Sequence, residues 1–380
     1  MKNPIFLIWI LSGLFFGCNP SADRNKKALD NPPKDSSSFE KFLIKKDELT
    51  LRFKYANAER RISFLNYKGK YSDWKNETFQ KFSELISYEP PQERDVRMIR
   101  SIVHEGITYR ALVMQAGPVL TIPAYLLIPG GKIKGKVLAV HGHGKVEAMI
   151  GLNDDYHHCF ALELARDGYM VLCPELRGFS TLSNLADDIE LDNLDYWDSD
   201  GAQFTLPTEG FQHGKTLIGE TIADLVAWEN WWVKAYEVEN FDVAGISYGG
   251  DLVLYYPVFS NRVNKIFSSG SLGSFNGIFA TSYNAPAHCI PNILKWMDRS
   301  DIAGLNAPRP ILLHYGELDT PGPDNHSASY NQTVDQSIKE LKDIYAQAGA
   351  EDKIYLKVTP GSHHEMDNGL LKSFLSDINE

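Results

Sequence analysis

The chain has 380 residues, of which 43 % are hydrophobic, and carries a formal net charge of −11 with a pI near 5.5. That is ample for one large α/β domain with a deep core, or for two small ones. No basic excess exists to neutralise phosphates, which excludes nucleic acid as the main partner.

In chain order, the N-terminus reads as a processing segment. Lys2 supplies a positive start, and Ile5 to Phe16 is an apolar stretch too short to span a membrane comfortably. The stretch ends in Phe15-Phe16-Gly17-Cys18, which resembles the lipobox of bacterial lipoproteins. Residues 1–18 are therefore expected to be a lipoprotein-type signal peptide, with Cys18 the lipidated residue. An ordinary secretory signal is the other reading. Either way the mature protein is exported, and a lipid anchor would be its only link to a membrane. Residues 19–38, with Asn19, Pro20, Pro32, Pro33 and Ser36-Ser37-Ser38, read as a flexible tether. Residues 39–93 are charged and aromatic. Helical spacing in Trp74 to Ile86, closed by Glu89-Pro90-Pro91, predicts a helical N-terminal extension packed on the main domain.

Residues 94–380 read as the main domain. Arg97 to Val103, Tyr109 to Met114 and Ala124 to Ile128 alternate as strands do. Lys136 to Val140 is a short buried strand running into His141-Gly142-His143-Gly144. Cys159 to Arg166 is a helix closed by Gly168, followed by a strand at Tyr169 to Cys173. Ile218 to Trp232 is a long helix. Phe241 to Ile246, Val263 to Ser268, Ile311 to Tyr315 and Ile354 to Val358 are further strands. Strands alternating with helices imply an α/β fold with a mostly parallel sheet and helices on both faces. Ser180 to Gly214, rich in Asp and Leu, interrupts the pattern as a cap, a substrate loop or a plain insertion. Cys159, Cys173 and Cys289 are odd in number and lack Cys-x-x-Cys spacing, so they read as mostly buried thiols.

The chemistry gathers at strand ends. Gly245-Ile246-Ser247-Tyr248-Gly249-Gly250 lies between an apolar strand and a helix, the setting of a nucleophile elbow, in which a sharp turn projects the Ser247 hydroxyl from the sheet. Past the strand Ile311 to Tyr315 comes Gly316-Glu317-Leu318-Asp319. Asp319 is the preferred acid for orienting an imidazole and Glu317 the runner-up. After the last strand stands Gly361-Ser362-His363-His364-Glu365, where a base must lie to reach the serine; the location does not decide between His363 and His364. Acyl transfer places negative charge on a former carbonyl oxygen, and two backbone N–H groups, those of Tyr248 and His143, are expected to receive it. His157-His158 and His141 with His143 could ligate a metal, but no third ligand has convincing spacing, so no metal is expected.

From about residue 95 to 380 the chain resembles the α/β-hydrolase superfamily, and within it the acetyl xylan esterase and dienelactone-hydrolase-like branch. The segments that carry this are Ile122 to Pro129, Pro174 to Phe179, the elbow, His288-Cys289-Ile290-Pro291 and Ala307 to Pro310. The resemblance implies Ser247 as nucleophile, Asp319 as acid and one of the histidine pair as base. Related esterases often read histidine-glutamate here, which favours His364. The implied function is a serine esterase acting on carboxylic esters of small molecules or carbohydrates, acetylated polysaccharide first among them, with no cofactor. A serine peptidase of the same fold and a non-catalytic surface binding lipoprotein are the competing readings.

Overall fold

The computed structural model describes residues 59–117, 120–182, 202–276, 286–319 and 328–376. Cys18, the signal segment and the tether lie outside the described residues, as does most of the 180–214 insertion. The described residues all fall within the unit Thr50–Glu380.

Among the described residues, nine strands form one sheet: β1 (Val96–His104), β2 (Ile107–Gln115), β3 (Thr121–Pro129), β4 (Gly135–Val140), β5 (Tyr169–Pro174), β6 (Phe241–Ile246), β7 (Val263–Ser269), β8 (Ile311–Gly316) and β9 (Ile354–Thr359). Their spatial order is β1-β2-β3-β5-β4-β6-β7-β8-β9. The first three pair antiparallel with each other, and β3 pairs antiparallel with β5. From β5 to β9 every pairing is parallel. Parallel neighbours share a direction, so the ends of β4 to β9 open along one edge, where ligands bind in such sheets.

Among the described residues, eight helices longer than a single turn accompany the sheet: α1 (Tyr71–Leu85), α2 (Phe160–Arg166), α3 (Ala202–Gln212), α4 (Leu217–Tyr236), α5 (Tyr248–Tyr255), α6 (Arg299–Gly304), α7 (Ala328–Gln347) and α8 (Asn368–Ser376). Both faces of the central strands are covered, and alternate side chains show it. Leu138 and Val140 join one apolar cluster with α1, α4, α5 and α7, whereas Val137 and Ala139 join the other with α2 and α8. A strand buried on both faces reads as a near-continuous apolar run, as Val137 to Val140, Tyr169 to Cys173 and Val243 to Ile246 do.

The N-terminal extension contains one helix within its described part. Phe82 of α1 enters the main core, and Trp74 packs on Leu305 and Ile344 while its indole N–H donates to the Ile62 carbonyl at 2.9 Å. Arg60 anchors the segment before it, reaching Glu340 Oε2 at 2.7 Å and Asp301 Oδ2 at 3.3 Å. The expected long helix is α4, wider at both ends than the apolar spacing indicated. Within the 180–214 insertion, residues 202–212 are helical despite Pro207. Of the three thiols only Cys173 is buried, while Cys159 and Cys289 are half-buried. Cys159 takes a left-handed conformation (φ 52°) just before α2, which therefore begins one residue later than expected.

Candidate active site

The elbow is built by crowding. Ser247 has φ 57° and ψ −123°, a conformation costing an L-residue on the order of 1–3 kcal/mol. Its N–H donates to the Ser269 carbonyl at 2.9 Å, and its own carbonyl accepts from the Ser271 hydroxyl and from Asp251 N–H. The end of β7 thus holds both faces of the strained peptide. The flanking glycines answer to space: a Cβ on Gly245 would stand 2.6 Å from the carbonyl carbon of Gly249, and one on Gly249 would stand 2.8 Å from that of His141. The first N–H groups of α5 lack partners within the helix and face the serine with the positive end of its dipole.

Beyond β8, Asp319 is fully buried (0 % exposed) and pairs with His364, whose Nδ1 lies 3.0 Å from Asp319 Oδ2. Glu317 points to solvent and accepts the Gly361 N–H at 2.9 Å. His363 is exposed, and its backbone N–H is taken by Glu365. His364 instead lies over the end of β7, where a Cβ on Gly270 would come within 2.5 Å of its Cε1. The loop after β9 therefore carries His364 back across β8 towards the serine. Of the two acids and two histidines in question, the fold brings Asp319 and His364 together.

The turn after β4 is fixed by groups that the sequence did not reveal as a set. His141 is buried and kept neutral, its pKa pushed down to about 3 by desolvation. Its Nδ1–H donates to the Gly142 carbonyl at 2.8 Å, and its Nε2 accepts the Leu176 N–H at 3.0 Å. In a trans peptide the N–H points opposite to the C=O. Holding the Gly142 carbonyl therefore aims the His143 N–H the other way. The Gly142 N–H is taken by His157 Nε2 at 2.8 Å, and His157 Nδ1 pairs with Asp155 Oδ1 at 2.6 Å. Both ring nitrogens of His141 and of His157 are thereby spent on turn geometry, not on a metal.

Between Asp155 and His157 stands Tyr156. Its hydroxyl donates to the His143 carbonyl and lies beside the Ser247 side chain, the two crowding the same side of Gly142. Its ring lies 5.5 Å from that of His364, and its carbonyl accepts the Met366 N–H at 2.9 Å. Next to it, His158 Nε2 lies 2.8 Å from Glu365 Oε2. Hydrogen bonds from Ser362 and His158 hold the Glu365 carboxyl down at about 2. Residues 155–158 thus clamp the turn after β4 to the loop after β9. Sequence reading missed this role; the one signal was four consecutive polar or aromatic residues, Asp-Tyr-His-His, just before a helix.

An aromatic wall completes the site. His143 stacks on His288 (5.0 Å between rings), and Tyr248 meets His288 edge-on at 4.7 Å and Phe179 at 5.1 Å. His288 is buried and neutral, with its pKa lowered to about 4 by desolvation, and its Nδ1 lies 3.3 Å from Asp251 on the elbow helix. Arg299, also buried, pairs with the same carboxylate.

No family model and no curated relative matches the chain by sequence. Solved structures do match. A putative acetyl xylan esterase from Bacteroides fragilis is 16 % identical with a TM-score of 0.64, covering 83 % of each chain. A methylesterase is 14 % identical with a TM-score of 0.59, covering 85 % of this chain and 68 % of its own. A glucuronoyl esterase from Solibacter usitatus is 10 % identical with a TM-score of 0.54, covering 80 % and 91 %. With the sheet order above, the fold is that of the α/β-hydrolases.

Proposed function

We propose that this chain is a serine esterase in which Ser247 attacks an ester carbonyl while His364 takes its proton. Asp319 holds the imidazole by its Nδ1–H. The N–H groups of Tyr248 and His143 receive the charge on the tetrahedral intermediate. The alcohol leaves with the proton from His364, and water, activated by the same base, releases the acid. The observation that carries this reading is the His364–Asp319 pair at 3.0 Å, on the strand-end edge that also bears the strained Ser247. Carbohydrate esters, acetylated polysaccharide first, are the proposed substrates. The support is that the structural neighbours are named as acetyl xylan, methyl and glucuronoyl esterases.

The test is a fluorophosphonate probe together with a panel of p-nitrophenyl esters, acetylated xylan, uronic acid methyl esters and peptide anilides. Labelling confined to Ser247 with turnover of acetyl esters is expected. Absence of labelling defeats the serine mechanism, and turnover of the anilides alone makes the protein a peptidase. We further propose export with a lipid on Cys18. Mass spectrometry of the mature N-terminus checks it, and an unlipidated N-terminus at another residue refutes it.

A further inference from the structure

Tyr156 is placed unlike any other side chain around Ser247. A Cβ on Gly142 would stand 2.9 Å from Ser247 Cβ and would also collide with the Tyr156 hydroxyl, so the phenol and the serine crowd one side of the oxyanion turn. A phenol has a single proton, and here it goes to the His143 carbonyl. Burial keeps the phenol protonated, far above its ordinary range. Its ring is held from the other side by His157, 4.2 Å between ring centres, and by the Met366 N–H on its carbonyl.

We propose that Tyr156 is a catalytic residue, a switching hydrogen-bond donor: its hydroxyl donates to the His143 carbonyl in the free protein and to the reacting oxygens once the serine has lost its proton. The inference rests on the serine esterase reading above. On attack the Ser247 proton passes to His364, the new bond forms between Ser247 Oγ and the carbonyl carbon, and the carbonyl π pair moves onto its oxygen. Every oxygen at that point can then only accept. The Tyr156 O–H turns from the His143 carbonyl to these oxygens and becomes a third donor beside two backbone N–H groups. When water releases the acid, the serine regains its proton and the phenol returns to the His143 carbonyl.

Tyr156→Phe keeps the ring contacts and removes the hydroxyl. With p-nitrophenyl acetate the expected result is a kcat lower by about 10²-fold with KM changed less than about twofold, as for loss of one oxyanion-hole donor. The fluorophosphonate labelling rate should fall in parallel. A Tyr156→Phe protein with kcat within about threefold of the parent overturns the proposal while leaving Ser247 as nucleophile. A parent protein that neither labels nor turns over esters overturns both. Should the Phe variant melt early, 3-fluorotyrosine at position 156 decides. It restores a hydroxyl on the same ring and should return kcat to within about threefold, whereas activity as low as that of Tyr156→Phe refutes the donor role.

Discussion

At the scale of single residues, the doubled histidine separates what a sequence states from what a fold adds. His363 and His364 are chemically identical and adjacent, and neighbours in an extended loop face opposite ways. Only the pairing with Asp319 tells them apart. Asp319, His364 and Ser247 are distant in sequence but recognisable, because each follows an apolar strand and strand ends converge. The clamp at residues 155–158 was not recognisable. Its partners are Gly142, His143 and Met366, and nothing local marks a histidine as the acceptor for a backbone N–H on another loop. Two substitutions test the assignment. His364→Ala should lower kcat by several orders of magnitude, leaving about the 10³–10⁴ enhancement that binding and an oxyanion hole supply. His363→Ala, at an exposed position, should retain more than half of the parent rate. The reverse pattern, read by steady-state kinetics on one ester, would move the role to His363.

At the scale of elements, legibility followed burial. The central strands were readable because both of their faces are covered, leaving apolar runs bounded by turns. The helix α7 went unread although Val334, Ile338, Leu341 and Tyr345 recur at helical spacing and are all buried. Polar residues between them outnumber the signal, and two of these, Ser337 and Glu340, are buried as well. The helix α8 is short, and the helix α3 is masked by Pro207, whose missing N–H is more often a break. The elbow is the element whose sequence pattern is most fully explained by contact. Gly249 has ordinary backbone angles and is glycine because the end of β4 runs against it. Gly249→Ala should therefore cost about 2 kcal/mol or more, since the atoms in the way are backbone and cannot rotate aside. Urea denaturation measures it, and a stability equal to the parent's would mean that β4 and α5 yield at no cost.

At the scale of the whole molecule, stability carries a pH dependence set at the end of β5. Glu175 is 2 % exposed, and burial raises its pKa from 4.5 to about 7. Its Oε1 accepts from the Thr181 hydroxyl at 2.6 Å and the Leu182 N–H at 2.8 Å, fastening the chain at the threshold of the 183–201 segment. Between pH 4.5 and about 7 the unfolded chain gives up this proton and the folded chain keeps it. Stability contributed by Glu175 is thus fully present below the first value and lost as pH rises through the second. Glu175→Gln preserves the acceptor and cannot ionise. The variant should match the parent at pH 4 and exceed it at pH 8, by on the order of 2–3 kcal/mol. Denaturation curves at the two pH values check this, and a constant difference between them would assign the effect to another group.

The free rim of β1 bears on how the protein behaves when concentrated. Among the described residues the strand has no neighbour on its outer side, and Met98, Ile99, Ile102 and Val103 are 57, 61, 43 and 73 % exposed. A bare, sticky ribbon of this kind is a template for joining sheets of separate molecules. Two devices oppose that here: Arg97 and Arg100 place like charges along the ribbon, and the register shift between Met98 and Arg100 bends it out of line. Replacing both arginines with valine leaves the edge that bears Ser247 untouched and removes the repulsion. Light scattering of that variant should rise steeply with protein concentration while the parent stays flat. If both stay flat, the kink alone is enough to keep the molecules apart.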